Sequence, residues 1–134
     1  MTVVVDASVV VAALVDDKDD GRWAAEAMHG HALAAPTHLL VEATNVLRRL
    51  AAAGEVSHDS AALAHADLLD LRVDLFAYAP LATRCWELRD NLTAYDAAYV
   101  ALAEQLGVGL LTLDERLRRA PGPTCEIVTR STRP

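Results

Sequence analysis

Residues 2–8 read TVVVDAS and residues 109–115 read GLLTLDE. Each is a short apolar run that ends on an aspartate, Asp6 in the first and Asp114 in the second. Val3 to Val5 show no polar alternation, the pattern of a strand covered on both faces in a parallel sheet. An acid directly after such a run stands where an α/β chain turns from strand to helix. Parallel sheets place their sites beyond the carboxyl ends of their strands, where both acids fall.

The periods alternate outward from these runs. A strand at 3–5 precedes a helix at 7–15, the acidic stretch DDKDDG (16–21) reads as a solvated turn, and a second helix lies near 23–28. Residues 32–35 predict a short strand ended by Pro36. Thr37 opens a long helix to about Ala53, with Leu39, Leu40, Ala43, Val46, Leu47 and Leu50 on one face at helical spacing and Gly54 as its stop. Ser57 is the N-cap of a helix reaching Leu71. Residues 73–77 predict a strand, and Pro80 starts a helix running to Asp90. Residues 93–106 form a helix apolar nearly all round, hence central, ended by Gly107. A strand at 108–113, a short helix at 114–119 and a last edge strand at 126–129 complete one domain over 1–134 without repeats or linkers. Strands alternating with helices imply an α/β fold whose central, mainly parallel sheet is flanked by helices through right-handed crossovers.

Composition narrows the function. With 134 residues and 53% hydrophobic content the chain can bury one core. No apolar stretch approaches the ~20 residues a spanning helix needs, so no membrane role is expected. The N-terminus lacks a basic leader, and the expected location is cytoplasmic. Cys85 and Cys125 lack CxxC spacing and read as core fillers. The five histidines form no HxxxH pair, so no zinc site is expected. A net charge of −7 argues against a general nucleic-acid coat protein but not against an enzyme with an acidic pocket. Eleven of the twelve basic residues are Arg, which suits phosphate contact but equally reflects codon bias.

Two further acids complete a set. Asp96 lies in the first turn of the alanine-rich segment TAYDAAYVALA, and Glu42 borders the apolar stripe of the long helix, roughly 90° from its centre. Each acid has a bland reading. Asp6 suits an N-cap, Thr93 with Asp96 and Thr112 with Glu115 read as capping boxes, and Glu42 suits a solvent-facing position. Capping, however, does not explain all four together. Carboxylates about 4 Å apart repel by roughly 4 kcal/mol at an effective dielectric of about 20, so a converging set favours a bridging cation.

Four segments, VVVDAS, LLVEATNVLRR, LTAYDAAYVALAEQLG and LLTLDERL, resemble in order and spacing the PIN-domain ribonucleases, in particular the VapC-type toxins of bacterial toxin-antitoxin pairs. The resemblance covers nearly the whole chain and implies a PIN-like three-layer fold. It implies that Asp6, Glu42, Asp96 and Asp114 form an acidic pocket for Mg²⁺ or Mn²⁺, cations that prefer oxygen ligands and keep several waters. Asp6 and Asp96 are the expected direct metal ligands. Glu42 and Asp114 are expected to hold waters or a second ion, one of them taking a proton from the attacking water. Ser8, Asn45 and Thr112 are candidate supports.

The implied reaction is hydrolysis of RNA phosphodiesters in exposed loops of tRNA or ribosomal RNA, where splayed bases can be read. Tyr95 is a candidate stacking residue, whereas Tyr99 reads as core. Arg48, Arg49, Arg84, Arg89, Arg116, Arg118 and Arg119 are candidate phosphate guides. The implied partners are a VapB-type antitoxin and a second copy of the chain, met through the helices between Thr37 and Leu71. A receiver domain is disfavoured because the only lysine, Lys18, lies in the early acidic stretch. A catalytically inactive interaction module on the same fold remains the alternative.

Overall fold

The structure is a computed structural model that describes residues 1–132, so the last two residues of the expected 1–134 span lie outside the described residues. Among the described residues five strands form one all-parallel sheet: β1 (Thr2–Val5), β2 (Ala32–Pro36), β3 (Val73–Phe76), β4 (Leu110–Leu111) and β5 (Ile127–Val128), in the order β3-β2-β1-β4-β5. Val4 and Val5 of β1 are fully buried, as a β-branched run in a doubly covered parallel sheet should be. The helices are α1 (Ala7–Val15), α2 (Asp19–Met28), α3 (Leu39–Ala52), α4 (His58–Asp70), α5 (Ala82–Glu87), α6 (Ala94–Leu106) and α7 (Glu115–Arg119). None of the described helices is long and apolar enough to cross a membrane.

The strand order explains the layers. From β1 the chain steps to β2 through α1 and α2, then to β3 through α3 and α4, always in one direction. It then returns past β1 through α5 and α6 to β4, and right-handed crossovers in opposite directions put these helices on the opposite face. Accordingly α1 packs on α2, α3 and α4, while α6 packs on α5 and on β1, β2 and β4. The direction of winding reverses between β1 and β4, a switch point at whose carboxyl end a crevice opens. Asp6 and Asp114 follow these two strands.

Local chemistry sets the helix ends. Ser57 caps α4 by accepting from Ser60 N–H at 3.0 Å, and Thr93 caps α6 by accepting from Asp96 N–H at 3.2 Å. Gly107 ends α6 in the left-handed region at φ 68°, where only glycine is unstrained. Residues Ala97–Ala103 of α6 are buried without a break, as its all-round apolarity predicts.

Several boundaries differ from expectation, among them the last strand, which is Ile127–Val128 rather than 126–129. Half of DDKDDG is helical, because α2 begins at Asp19: acids in a first turn complement the helix dipole, so an acidic run is not necessarily a loop. A Cβ on Gly21 would meet Asp16 O at 1.7 Å, so α2 lies against the end of α1 in a way only glycine permits. The helix expected from Pro80 to Asp90 is a 3-10 turn at Ala79–Leu81 followed by the short α5. The strand expected at 108–113 is reduced to Leu110–Leu111, although its backbone bonds extend further, with Asp6 N–H donating to Leu111 O and Thr112 N–H to Val128 O. The long helix opens at Leu39 rather than Thr37, whose N–H is engaged with Phe76 O at the sheet.

Candidate active site

Asp6 is held from three sides. It is 7% exposed and caps α1, with Oδ1 accepting from Val9 N–H at 3.2 Å and from the Ser8 hydroxyl at 2.6 Å. Its Oδ2 accepts from the buried Thr112 hydroxyl at 2.5 Å, across the β1–β4 junction. Burial pushes this carboxyl up to about 6, against the opposing pull of the hydroxyl and backbone donors. Ser8 in turn accepts from Leu113 N–H at 3.1 Å, and Thr112 from Asp114 N–H at 3.0 Å. Two hydroxyls therefore lock the ends of β1 and β4 together around a single carboxylate.

Asp96, half-buried in the first turn of α6, is raised by burial first and then by the negative charges of Asp114 and Glu42. Asp96 in turn raises Asp6. Glu42, half-buried on α3, accepts a 2.7 Å hydrogen bond from the Tyr99 hydroxyl. Asp114 caps α7 and is gripped by Arg116, whose Nε donates to Oδ1 at 3.0 Å and whose Nη2 donates to Oδ2 at 2.8 Å. This hydrogen bonding holds the Asp114 carboxyl below the usual range.

The four expected acids thus share one electrostatic field at the carboxyl end of the sheet. Of the supports, Ser8 and Thr112 reach the carboxylates. Asn45 does not: its Oδ1 accepts from Arg48 Nε at 2.9 Å on the exposed flank of α3. The capping-box reading of Thr112 is also corrected, since Asp114 itself caps α7 and Thr112 faces Asp6. Among the candidate phosphate guides, Arg84 is tied instead to Glu104, Glu87 and Gly122 O, and Arg89 lies over the Trp86 ring. Tyr95 is 64% exposed beside Asp96, its ring edge-on to His38 with centroids 5.8 Å apart.

Sequence reasoning missed the contact of Tyr99 with Glu42. Its spacing from Asp96, three residues along one helix, put it on the same face and was the available signal.

The donor chemistry fits a hard divalent cation. Among the described residues no three His, Cys, Asp or Glu side chains close into a ready cage. Mg²⁺ takes only one or two carboxylates directly and keeps waters on its remaining positions, so it does not need such a cage. Asp96 feels the charges of Asp114 and Glu42 and adds its own to Asp6, a repulsion that a cation among them relieves.

The chain matches the PIN domain model over residues 3–123. It is 40% identical over 126 residues to Ribonuclease VapC1 of Mycobacterium tuberculosis, an alignment spanning 92% of this chain and 94% of that one. Its fold is similar to a chain in the crystal structure of VapBC2 from Rickettsia felis bound to a promoter DNA fragment, with a TM-score of 0.67 at 14% identity over 96% of this chain and 98% of that one. It is similar also to VapC20 of Mycobacterium tuberculosis, a sarcin-ricin loop cleaving toxin, with a TM-score of 0.61 at 20% identity over 81% and 86% of the two chains. The chain belongs to the PIN-domain family and, within it, to the VapC ribonucleases.

Proposed function

We propose that the protein is a metal-dependent endoribonuclease toxin that hydrolyses phosphodiesters in exposed loops of structured RNA, of tRNA or ribosomal type, and is restrained by a VapB-type antitoxin. The observation that carries this reading is that Asp96 feels the charges of Asp114 and Glu42 and itself acts on Asp6 beside the switch point, with Asp6 immobilised by Ser8, Thr112 and Val9 N–H. The relatives named as ribonucleases and a loop-cleaving toxin of the same fold support the substrate class.

Asp6 and Asp96 would hold Mg²⁺ or Mn²⁺, with Glu42 and Asp114 completing its surroundings. Bound there, the cation supplies charge against the phosphate and lowers the pKa of the attacking water. The chain's own residues do the rest. Ser8 and Thr112 keep the Asp6 carboxylate from turning away, and Glu42 or Asp114 accepts the proton that the water loses on attacking phosphorus. Tyr95, exposed at the rim, offers a face on which an unpaired base can stack.

The acidic pocket also accounts for restraint by an antitoxin. Arg116 already grips Asp114 with two parallel bonds, so a guanidinium from a partner has carboxylates of matching geometry to engage. Exposed Val41, Leu63 and Leu69 on α3 and α4 offer apolar contact for a second copy of the chain.

The test is cleavage of total cellular RNA by purified protein with Mg²⁺ or Mn²⁺, beside EDTA and a folded Asp6→Asn variant. Discrete fragments that require both metal and Asp6 are expected. Equal behaviour of wild type and variant rejects the pocket as the catalyst and leaves an interaction role on this fold.

A further inference from the structure

A buried phenol stands among the acids of the site. Tyr99 is 1% exposed in the middle of α6, yet its hydroxyl donates at 2.7 Å to Glu42 Oε1 on α3. Its ring is fixed by His38, which meets it edge-on with centroids 5.0 Å apart. Asp96 lies three residues earlier on the same helical face, so α6 delivers one carboxylate and the hydroxyl that holds another. Burial, then Glu42, Asp6 and Asp96, keep the phenol far above the ordinary tyrosine range, so it stays a donor.

Glu42 needs such a donor. It reaches the crevice from the border of an amphipathic stripe on a side chain rich in rotamers, and the negative charge of Asp96 favours rotamers that turn away. Asp6 has three donors and Asp114 has Arg116, whereas Glu42 has the Tyr99 hydroxyl.

We propose that Tyr99 is a positioning residue of the nuclease, its hydroxyl holding the Glu42 carboxylate toward Asp96 against their mutual repulsion. The proposal rests on the nuclease reading above. It assigns the tyrosine two parts: the ring fills the core, and the oxygen orders the site.

Tyr99→Phe separates the two, because it keeps the ring and its contact with His38. Wild type, Y99F, E42A, the Y99F/E42A double variant and Asp6→Asn are compared in two measurements. The first is the initial rate on total cellular RNA with Mn²⁺, well below every melting midpoint. The second is thermal unfolding in EDTA, which reads the contact without metal or RNA.

Y99F is expected to cleave about 10–100-fold more slowly, the usual loss when a residue supporting a catalytic ligand is removed. The double variant is expected to be no slower than E42A alone, because Tyr99 acts through Glu42. In EDTA the losses in midpoint from Y99F and E42A are expected to be less than additive, as they are for groups in contact. Wild-type cleavage by Y99F, multiplying losses in the double variant, or additive melting losses each overturn the proposal. If Asp6→Asn is inert and Y99F fully active, the positioning role fails alone. If wild type and Asp6→Asn are equally inert, the nuclease reading fails and the proposal falls with it.

Discussion

Thr112 and Asp6 stand 106 residues apart in the chain and meet through a 2.5 Å hydrogen bond at the carboxyl ends of adjacent strands. The same hydroxyl accepts from Asp114 N–H, so a single buried oxygen joins the acid after β1 to the turn that carries the acid after β4. Its removal tests how far the site depends on this joint. Thr112→Val keeps the shape and leaves both Asp6 Oδ2 and Asp114 N–H without that partner. Unfolding in EDTA should show a loss of about 1–3 kcal/mol. RNA cleavage should fall by about 10–100-fold. Thr112→Ser, which keeps the hydroxyl, should recover most of both.

The raised Asp6 carboxyl makes stability depend on pH. Its value in the fold is about 6, against an ordinary 3.8, so the folded state binds this proton more tightly than the unfolded chain does. The contribution of Asp6 to stability is therefore fullest below about pH 4 and is lost as pH rises to about 6, by about 3 kcal/mol without a cation. Asparagine keeps the capping ability and does not titrate. In EDTA, the unfolding free energy of Asp6→Asn relative to wild type should accordingly increase between about pH 4 and about pH 7. A difference that stays flat across this range contradicts the prediction. Mn²⁺ should stabilise wild type more at neutral pH than at acid pH, because only the charged carboxylate binds it.

We predict that Arg116 competes with a pocket cation for Asp114. Its side chain is exposed, so Arg116→Ala should leave the melting midpoint within about 1 °C of wild type in EDTA. Asp114 then rises toward the ordinary carboxylate range, and the pocket loses a positive charge that also favours ionised Asp96. Calorimetric titration with Mn²⁺ in the absence of RNA should show tighter binding by the variant. Unchanged or weaker binding excludes competition.

Tyr95 should matter to substrate and not to fold. It is solvent-exposed, so Tyr95→Ala should melt close to wild type. If a base stacks on its ring, the loss is about 1–3 kcal/mol and falls on RNA binding. Steady-state kinetics should then show a raised KM with kcat little changed.

Much of this site is legible in the sequence, because two acids follow apolar strands and a third opens an all-apolar helix. Parallel strands then carry their carboxyl ends to one side, which brings the acids together without any need to know side-chain geometry. Roles that depend on a hydroxyl were harder to read. Tyr99 sits in an apolar helix as a core residue would, and only the partner 57 residues away reveals what its oxygen does. Asn45 shows the converse: it shares the flank of α3 with Glu42, yet a nearby Arg48 takes its carbonyl oxygen. The start of α2 was hidden because an acidic run suits a turn and a first helical turn equally well.

The placement of β4 beside β1 has a consequence for synthesis. Asp6 leaves the ribosome 106 residues ahead of Thr112, and ahead also of Asp114 and of the strand that pairs with Val4 and Val5. An unfinished chain therefore displays the first carboxylate without the hydroxyl that orders it, the crevice that shelters it or the acid that faces it. The candidate pocket comes into being only once β4 has emerged, and a product cut short before β4 lacks it by topology.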